Sequence, residues 1–394
     1  MQIGIVSEYY RPWPGGISEH VHHEAVELRR RGHHVTILTG PASGSPREVP
    51  SGGDAEGERD VLRLGFEIRF TSNGALSRFA LGRELFAMRA LLRRLKLDLV
   101  HVHAPMDPFL ALAALAASEV ATVGTFHASF APSALWDGLY RKLRFVTGPL
   151  FRRMHARIAV SEEAERSISH YFPDRYEIIP NGVDTQRFHP GLEPLPEFST
   201  GGPTILFVGR ADPRKGLRLL LAAFESVRRR VPGARLVVVG VEPAEVARAH
   251  PGLDLDRAEG LCLAGYVPTE VLPRYYASCD VFCSPATGQE SQGIVLLEAM
   301  ATGRPPVIFD IPGYRNVVTH KRDGWIVPEC DAGLLAEALV ELLRNPELRA
   351  ELASAGPETA GRYAWPGVVQ RLETVFSGAV AEREKSRSER PRPC

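Results

Sequence analysis

The feature that most constrains this chain is an alternation. Short runs of β-branched and aliphatic residues recur along nearly its whole length, with longer stretches of helical spacing between them. Strands are expected at residues 3–6, 35–39, 97–102, 121–126, 157–160, 204–208, 235–239, 280–284 and 306–309. Helices are expected between them, most clearly at 19–31, 217–229, 293–302 and 333–344. Strands apolar on both faces and separated by helices imply parallel sheets covered on each side. The expected class is α/β, as two doubly wound, Rossmann-like domains facing an interdomain cleft, because such sheets take ligands beyond the carboxyl ends of their strands.

One interruption divides the pattern. Residues 189–203 hold four prolines and three glycines without periodicity, the composition of a linker. The expected organisation is therefore a first domain over 1–190, a linker at 191–203 and a second domain over 204–362. A closing helix at 363–380 and a disordered, charged tail at 381–394 complete it. The 394 residues suit two such domains. Residues 41–60, rich in Gly, Ser, Pro and acids, are expected to form a mobile loop.

Composition narrows the function classes. Lys and Arg total 47, as do Asp and Glu, so the basic excess that marks a nucleic-acid partner is missing. The five cysteines (Cys262, Cys279, Cys283, Cys330 and Cys394) have neither the even count nor the repeated spacing of a disulfide framework or zinc motif. The longest apolar run, 109–117, falls short of the ~20 residues that span a bilayer. A strand begins at once, with no leader pattern before it. The expectation is a cytoplasmic protein, peripheral at most to the inner face of the cell membrane.

Four segments carry the chemistry. The segment Gln289-Glu290-Ser291-Gln292-Gly293-Ile294-Val295-Leu296-Leu297-Glu298 follows a strand and opens a helix. Free N–H groups and the helix dipole there favour an anion, above all phosphate. Glu290 suits sugar hydroxyls at the loop, and Glu298, among apolar neighbours, suits a ribose; a helix cap and a basic partner are the structural alternatives. Gly209-Arg210-Ala211-Asp212-Pro213-Arg214-Lys215-Gly216 places cations at a strand's carboxyl end, where they can neutralise a pyrophosphate leaving group. Tyr9-Tyr10-Arg11-Pro12-Trp13-Pro14-Gly15-Gly16-Ile17-Ser18 supplies two glycines before a helix but not the G-x-G-x-x-G of a nicotinamide site. His127 ends another strand of the first domain. His101 and His103 share a strand face, and His20, His23 and Glu24 share a helix face. For the first pair satisfied or exposed histidines are expected over a metal, and for the helix group no distant ligand matches.

Together these segments resemble the family-4 retaining glycosyltransferases of the GT-B fold over nearly the whole chain. The resemblance is carried by Pro14-Gly15-Gly16, Arg31-Gly32-His33-His34-Val35, Thr125-Phe126-His127 and Pro180-Asn181-Gly182-Val183-Asp184. Gly209-Arg210, Arg214-Lys215-Gly216 and the pair Glu290 and Glu298 continue it. On the donor side it is similar to the phosphatidylinositol mannosyltransferases. It implies a hexosyltransferase that moves a sugar, mannose favoured, with retention from a nucleotide diphosphate sugar such as GDP-mannose, the base (GDP, UDP or ADP) being left open. The implied catalytic groups are His127, Arg210, Lys215 and Glu290. The implied donor site comprises Gly15, Gly16, Arg210, Lys215, Glu290, Ser291, Gly293, Ile294, Val295 and Glu298, and Tyr9, Ser18 and His127 would meet the acceptor. No metal is implied as a cofactor, because the cations replace it at the diphosphate.

The acceptor side departs from the mannosyltransferase pattern at Ser18, Ala128 and Pro132. Charge position bears on the acceptor too. Residues 61–160 hold 14 Lys and Arg against 6 Asp and Glu, so the net zero is a cancellation. At 139–157 basic residues alternate with Tyr140, Phe145 and Phe151, which suits an anionic membrane surface and a lipid acceptor such as a phosphatidylinositol. A nucleotide-sugar epimerase of the same architecture is the alternative enzyme, and it would turn over donor without acceptor. A nicotinamide oxidoreductase lacks its glycine motif.

Overall fold

The computed structural model describes residues 1–12, 15–41, 60–72, 75–128, 145, 147–198, 201–249 and 258–389, without the side chains of 67–78 and 84. It forms two units. One takes the described residues up to Gly182 and those from Trp365 onward, and the other takes Val183–Ala364. Each is built on a parallel sheet with helices on both faces, the α/β Rossmann-like class that the alternation implied.

In the first unit the strands lie in the order Val61–Arg63, His34–Thr39, Gln2–Ser7, Leu99–His103, Ala121–Phe126, Ala156–Ala159 and Glu177–Ile178, all parallel. Alternate residues commit to opposite faces, as the pleat requires. Ile3, Ile5, Leu99 and Val123 pack on the helix Gly16–Arg30, through Val21, Ala25 and Leu28, and on the helix Trp365–Ser388, through Val369 and Phe376. Val6, Val100 and Val102 face the other way, onto Leu110, Ala111 and Ala114 of Leu110–Ala117. His101 and His103 lie in register with the first of these faces, so their burial follows from the strand period. An antiparallel hairpin, Phe66–Ser72 with Ala75–Leu81, stands outside the sheet.

In the second unit the order is Leu261–Gly265, Arg235–Val239, Thr204–Val208, Val281–Ser284, Pro306–Phe309 and Trp325–Val327, again all parallel. Numbered along the chain, both sheets begin 3-2-1-4-5-6, so each has a switch point between its first and fourth strands. There the loops leaving adjacent strands diverge and open a crevice. Cys279 and Cys283 are fully buried at this core, and burial pushes the Cys279 thiol up to about 12, which suits packing and not reactivity.

Three expectations are corrected. The chain passes between units after Gly182, not within 191–203. That Pro-rich stretch belongs to the second unit, where the Leu195 N–H donates to Ser278 Oγ (2.8 Å) and Phe198 packs on the core. The closing helix does not stop at 380: it runs to Ser388, because residues 381–388 are Ala, Glu, Arg, Lys and Ser without Pro, and Arg383 donates to the Glu119 carbonyl. The edge strands Val61–Arg63, Glu177–Ile178, Leu261–Gly265 and Trp325–Val327 were missed, each being short and partly exposed and so weakly patterned, and so were the two strands of the hairpin. The expected mobile loop at 41–60 lies, apart from its end residues, outside the described residues.

Phe376 is fully buried under the first sheet. Phe376→Ala is expected to cost about 3–5 kcal/mol in urea unfolding. A loss below 1 kcal/mol would mean that the closing helix does not pack there.

Candidate functional site

In the second unit the two loops flanking the switch point carry the chemical groups. The first follows Thr204–Val208. Asp212 caps the short turn Pro213–Lys215 by accepting from the Arg214 N–H (3.0 Å), and its carboxylate accepts from the Arg214 guanidinium (2.7 Å). Burial works against the charge of Asp212, but these hydrogen bonds and the guanidinium outweigh it and hold the carboxyl below its usual range. Gly216 then turns left-handed, at φ +71°, against the second loop. A Cβ on it would lie 1.8 Å from the Pro285 carbonyl oxygen. The Thr287 N–H donates to the Arg214 carbonyl (2.9 Å), and Arg214 Nη1 donates to the Gln289 carbonyl (3.0 Å). The loops are thus joined backbone to backbone.

This join brings Lys215 Nζ to 2.8 Å from Glu290 Oε1, with side chains 19% and 11% exposed. Glu290 is itself seated by a second close approach: a Cβ on Gly313 would fall 1.9 Å from the Glu290 carbonyl oxygen. Ser291 and Gly293, the latter at φ +82°, lead into the helix Ile294–Ala301, whose first turn includes Val295. Glu298, on the same helix, is half-buried and accepts from the Tyr276 hydroxyl at 2.7 Å. Arg210 stands exposed in the first loop. One short region therefore holds cations, carboxylates and a helix N-terminus, the set that suits a diphosphate joined to a polyhydroxylated group. Tyr276 and Gly313 escaped the sequence reading, since nothing in their spacing marks them as partners of the motif; Asp212 and Arg214 stood within it but were given no role of their own.

In the first unit Gly16 opens the helix Gly16–Arg30, and the Gly15 carbonyl accepts from the Glu19 N–H (3.1 Å). Pro14 lies outside the described residues. Tyr9 is half-buried, with its N–H on Ser7 Oγ (3.1 Å), and Ser18 is buried within the helix. His127, at the end of Ala121–Phe126, joins groups the sequence left apart. His103 Nδ1 lies 2.8 Å from His127 Nε2, His101 Nδ1 lies 2.7 Å from Glu24 Oε1, and the His20 and His127 ring centroids are 4.8 Å apart. Burial above all, and then the neighbouring imidazoles of His20 and His103, hold His127 well below its ordinary range, so its ring is neutral. Burial likewise pushes His103 down to about 3. His23, expected beside His20 and Glu24, turns away: it pairs with Glu19 (3.6 Å) and stacks on Trp365.

The basic segment at 139–157 is described only at 145 and from 147 onward. Phe145 and Arg152 are exposed, but Phe151 is buried in the core. Arg153 donates to the carbonyls of Ala116 (2.8 Å) and Ser118 (2.9 Å), and Arg157 donates to that of Phe151 (2.8 Å). The aromatic alternation is thus not one exposed face, because sheet packing claims Phe151. No described helix is long and apolar enough to cross a membrane.

The fold and the loop chemistry together are those of a two-domain nucleotide-sugar transferase, and comparison with known proteins agrees. The family model Glycosyl transferases group 1 matches residues 195–359, and Glycosyltransferase Family 4 matches 14–187. A phosphatidyl-myo-inositol mannosyltransferase of Mycobacterium leprae is 33% identical over 98% of this chain and 99% of its own. A GDP-mannose-dependent alpha-(1-6)-phosphatidylinositol monomannoside mannosyltransferase of Mycobacterium tuberculosis is 30% identical over 65% of this chain and 74% of its own. Among solved structures, a sucrose-phosphate synthase from Thermosynechococcus elongatus superposes with a TM-score of 0.75 at 19% identity, covering 97% of this chain and 100% of that one. The chain belongs to glycosyltransferase family 4, with the GT-B fold, and is a hexosyltransferase whose partner is a nucleotide sugar.

Gly313→Ala is expected to push the Glu290 loop from its seat and to cost about 1–3 kcal/mol of stability, read by thermal unfolding. Gly367→Ala, whose added Cβ meets nothing within 4 Å, should leave the transition in place. Equal behaviour of the two variants would refute the seat.

Proposed function

We propose that the protein transfers a mannosyl group, with retention, from GDP-mannose to a hydroxyl of a phosphatidylinositol-type lipid at the cytoplasmic face of the membrane. The observation that carries this reading is the 2.8 Å Lys215–Glu290 pair at the switch point of the second sheet. The names of the two mannosyltransferase relatives support the sugar and the lipid.

In this reading Glu290 accepts from donor-sugar hydroxyls and Lys215 turns to the diphosphate with Arg210. The bond from the anomeric carbon to the phosphate oxygen breaks, and that carbon bonds to the acceptor oxygen on the same face. The acceptor's proton passes to the leaving phosphate oxygen, whose growing charge Arg210 and Lys215 stabilise. That is the role a metal plays in other transferases, so none is required at the diphosphate. The Ser291 to Val295 turn holds the phosphates by its N–H groups, Glu298 takes the ribose, and the Gly15-Gly16 backbone admits the phosphates closely. His127, neutral, meets the sugar or the acceptor beside Tyr9 and Ser18. Phe145 and Arg152 are the described groups of segment 139–157 free to meet an anionic surface.

GDP, UDP and ADP sugars should separate in a thermal-shift screen. Ligand at ~100 times its dissociation constant adds about 2.7 kcal/mol, so GDP-mannose should stand out. Lys215→Ala and Glu290→Ala should each lower kcat about 100- to 1000-fold, while Tyr276→Phe should raise the donor KM about tenfold with kcat kept. Product anomers read by NMR test retention. Near-normal turnover in both Ala variants, or an inverted anomer, overturns the mechanism; a preference for another nucleotide overturns the donor alone.

A further inference from the structure

We infer that Glu24 and His103 are positioning residues of the transfer reaction. Through His103 the Glu24 carboxylate fixes the tautomer of His127, with its proton on Nε2, so that Nδ1 is left to accept from a hydroxyl of the sugar or the acceptor. The inference rests on the proposed contact between His127 and one of those ligands.

Period and register bring these residues together. His101 and His103 share one face of Leu99–His103. His103 pairs in register with Thr125, and His127 follows Thr125 by one further period. Glu24 comes from the helix Gly16–Arg30, which packs on that face. Glu24, His101 and His103 have no exposure, and His127, at 8%, is the most exposed of the four.

The protons can be assigned along this line. An ionised carboxylate only accepts, and a neutral imidazole has one N–H and one lone pair. Burial opposes charge on Glu24, but His101 and His103 outweigh it and hold the carboxyl well below its usual range. Burial pushes His103 down to about 3, so its ring is neutral. His101 donates from Nδ1 to Glu24 Oε1 (2.7 Å), and its Nε2 meets the Thr125 hydroxyl (2.7 Å). His103 Nε2 faces Glu24 Oε2 at 3.2 Å, in an electrostatic contact without hydrogen-bond alignment. A lone pair there would be set against those of the carboxylate, so the single proton of His103 sits on Nε2 and its Nδ1 accepts. That Nδ1 lies 2.8 Å from His127 Nε2, with the two rings 22° from parallel, so the proton between them belongs to His127 Nε2. His127 is neutral too, held down by burial and then by His20 and His103, which leaves its Nδ1 a lone pair. His20 stands aside from the line: its Nδ1 is 2.9 Å from Asn181 Oδ1, and its Nε2 lies further from Glu24 Oε2, at 3.4 Å.

A ring presented in this way accepts from a hydroxyl and repels an oxyanion, so it suits a polyhydroxylated ligand and not the diphosphate. The other tautomer would donate from Nδ1 and favour a phosphate oxygen. The low basicity of His127 lets it accept a hydrogen bond without taking the proton, and the acceptor's proton is left to the leaving phosphate oxygen. The choice of tautomer is made two side chains away, by Glu24.

NMR of the full-length chain, labelled in its histidine nitrogens, reads the tautomers directly, because protonated and lone-pair ring nitrogens differ in shift. His103→Asn and His127→Asn assign the signals. A protonated Nε2 and a bare Nδ1 are expected on both His103 and His127. A proton on His127 Nδ1 overturns the proposal. These shifts are read without ligand, so that failure is separate from a wrong donor, acceptor or anomer, which the turnover assays reveal. Glu24→Leu should release His127 into a mixture of tautomers, and an unchanged His127 in that folded variant overturns the role of Glu24. In turnover with the nucleotide sugar selected by thermal shift, His103→Leu should lower kcat/KM about tenfold, the loss of one hydrogen bond. His103→Asn, whose carboxamide oxygen can accept in place of Nδ1, should recover most of it. Wild-type turnover in the Leu variant, or equal losses in the Leu and Asn variants, overturns the positioning role of His103.

Discussion

Two loops of the second sheet touch backbone to backbone, and the chemistry of this half depends on that touch. Only a glycine at 216 can lie against the Pro285 carbonyl, since a Cβ would sit 1.8 Å from it. The contact is available because the first and fourth strands of the chain order are neighbours in the sheet. Strand order thus brings residues some seventy-five positions apart to one point, and Arg214, bonded to both loops, holds them there. Lys215 and Glu290 pair as a consequence, not as a cause.

The same topology acts in the first unit, with a different outcome. Its switch point lies between Gln2–Ser7 and Leu99–His103, and the groups delivered beside it include imidazoles and the carboxylate of Glu24. Glu24 has no exposure at all and is surrounded by three histidines. A carboxylate so placed is costly without compensation. His101 Nδ1 at 2.7 Å and His103 Nε2 at 3.2 Å supply that compensation and hold the carboxyl well below its usual range.

Much of the fold was legible because its causes are local. Apolar strands two-sided in burial announce themselves, and nine of them were placed within a residue or two of where they lie. The motif around Glu290 was legible too, since phosphate chemistry at a helix N-terminus needs its residues close in sequence. What escaped was set by tertiary context. Tyr276 finds Glu298 through packing, and the edge strands are too exposed to be patterned. Proline-rich 191–203 looked like a linker yet is tied down by side chains such as Ser278 that local composition does not reveal. The tail misled for the opposite reason: charge was read as disorder, though up to Ser388 it is made of good helix formers.

The histidines show where this kind of reading stops. His101 and His103 on one strand face, and His20 with Glu24 on one helix face, were each visible as half of something. Structural histidines were the expectation for both. The strand period buries His101 and His103 on the same side as Ile3, Ile5 and Leu99, and the helix that covers those residues through Val21, Ala25 and Leu28 carries His20 and Glu24 on its buried stripe. Given that helix on that face, the two halves must meet. The decisive step was the pairing of one amphipathic helix with one sheet face, which hydrophobic burial imposes and which no spacing along the chain encodes.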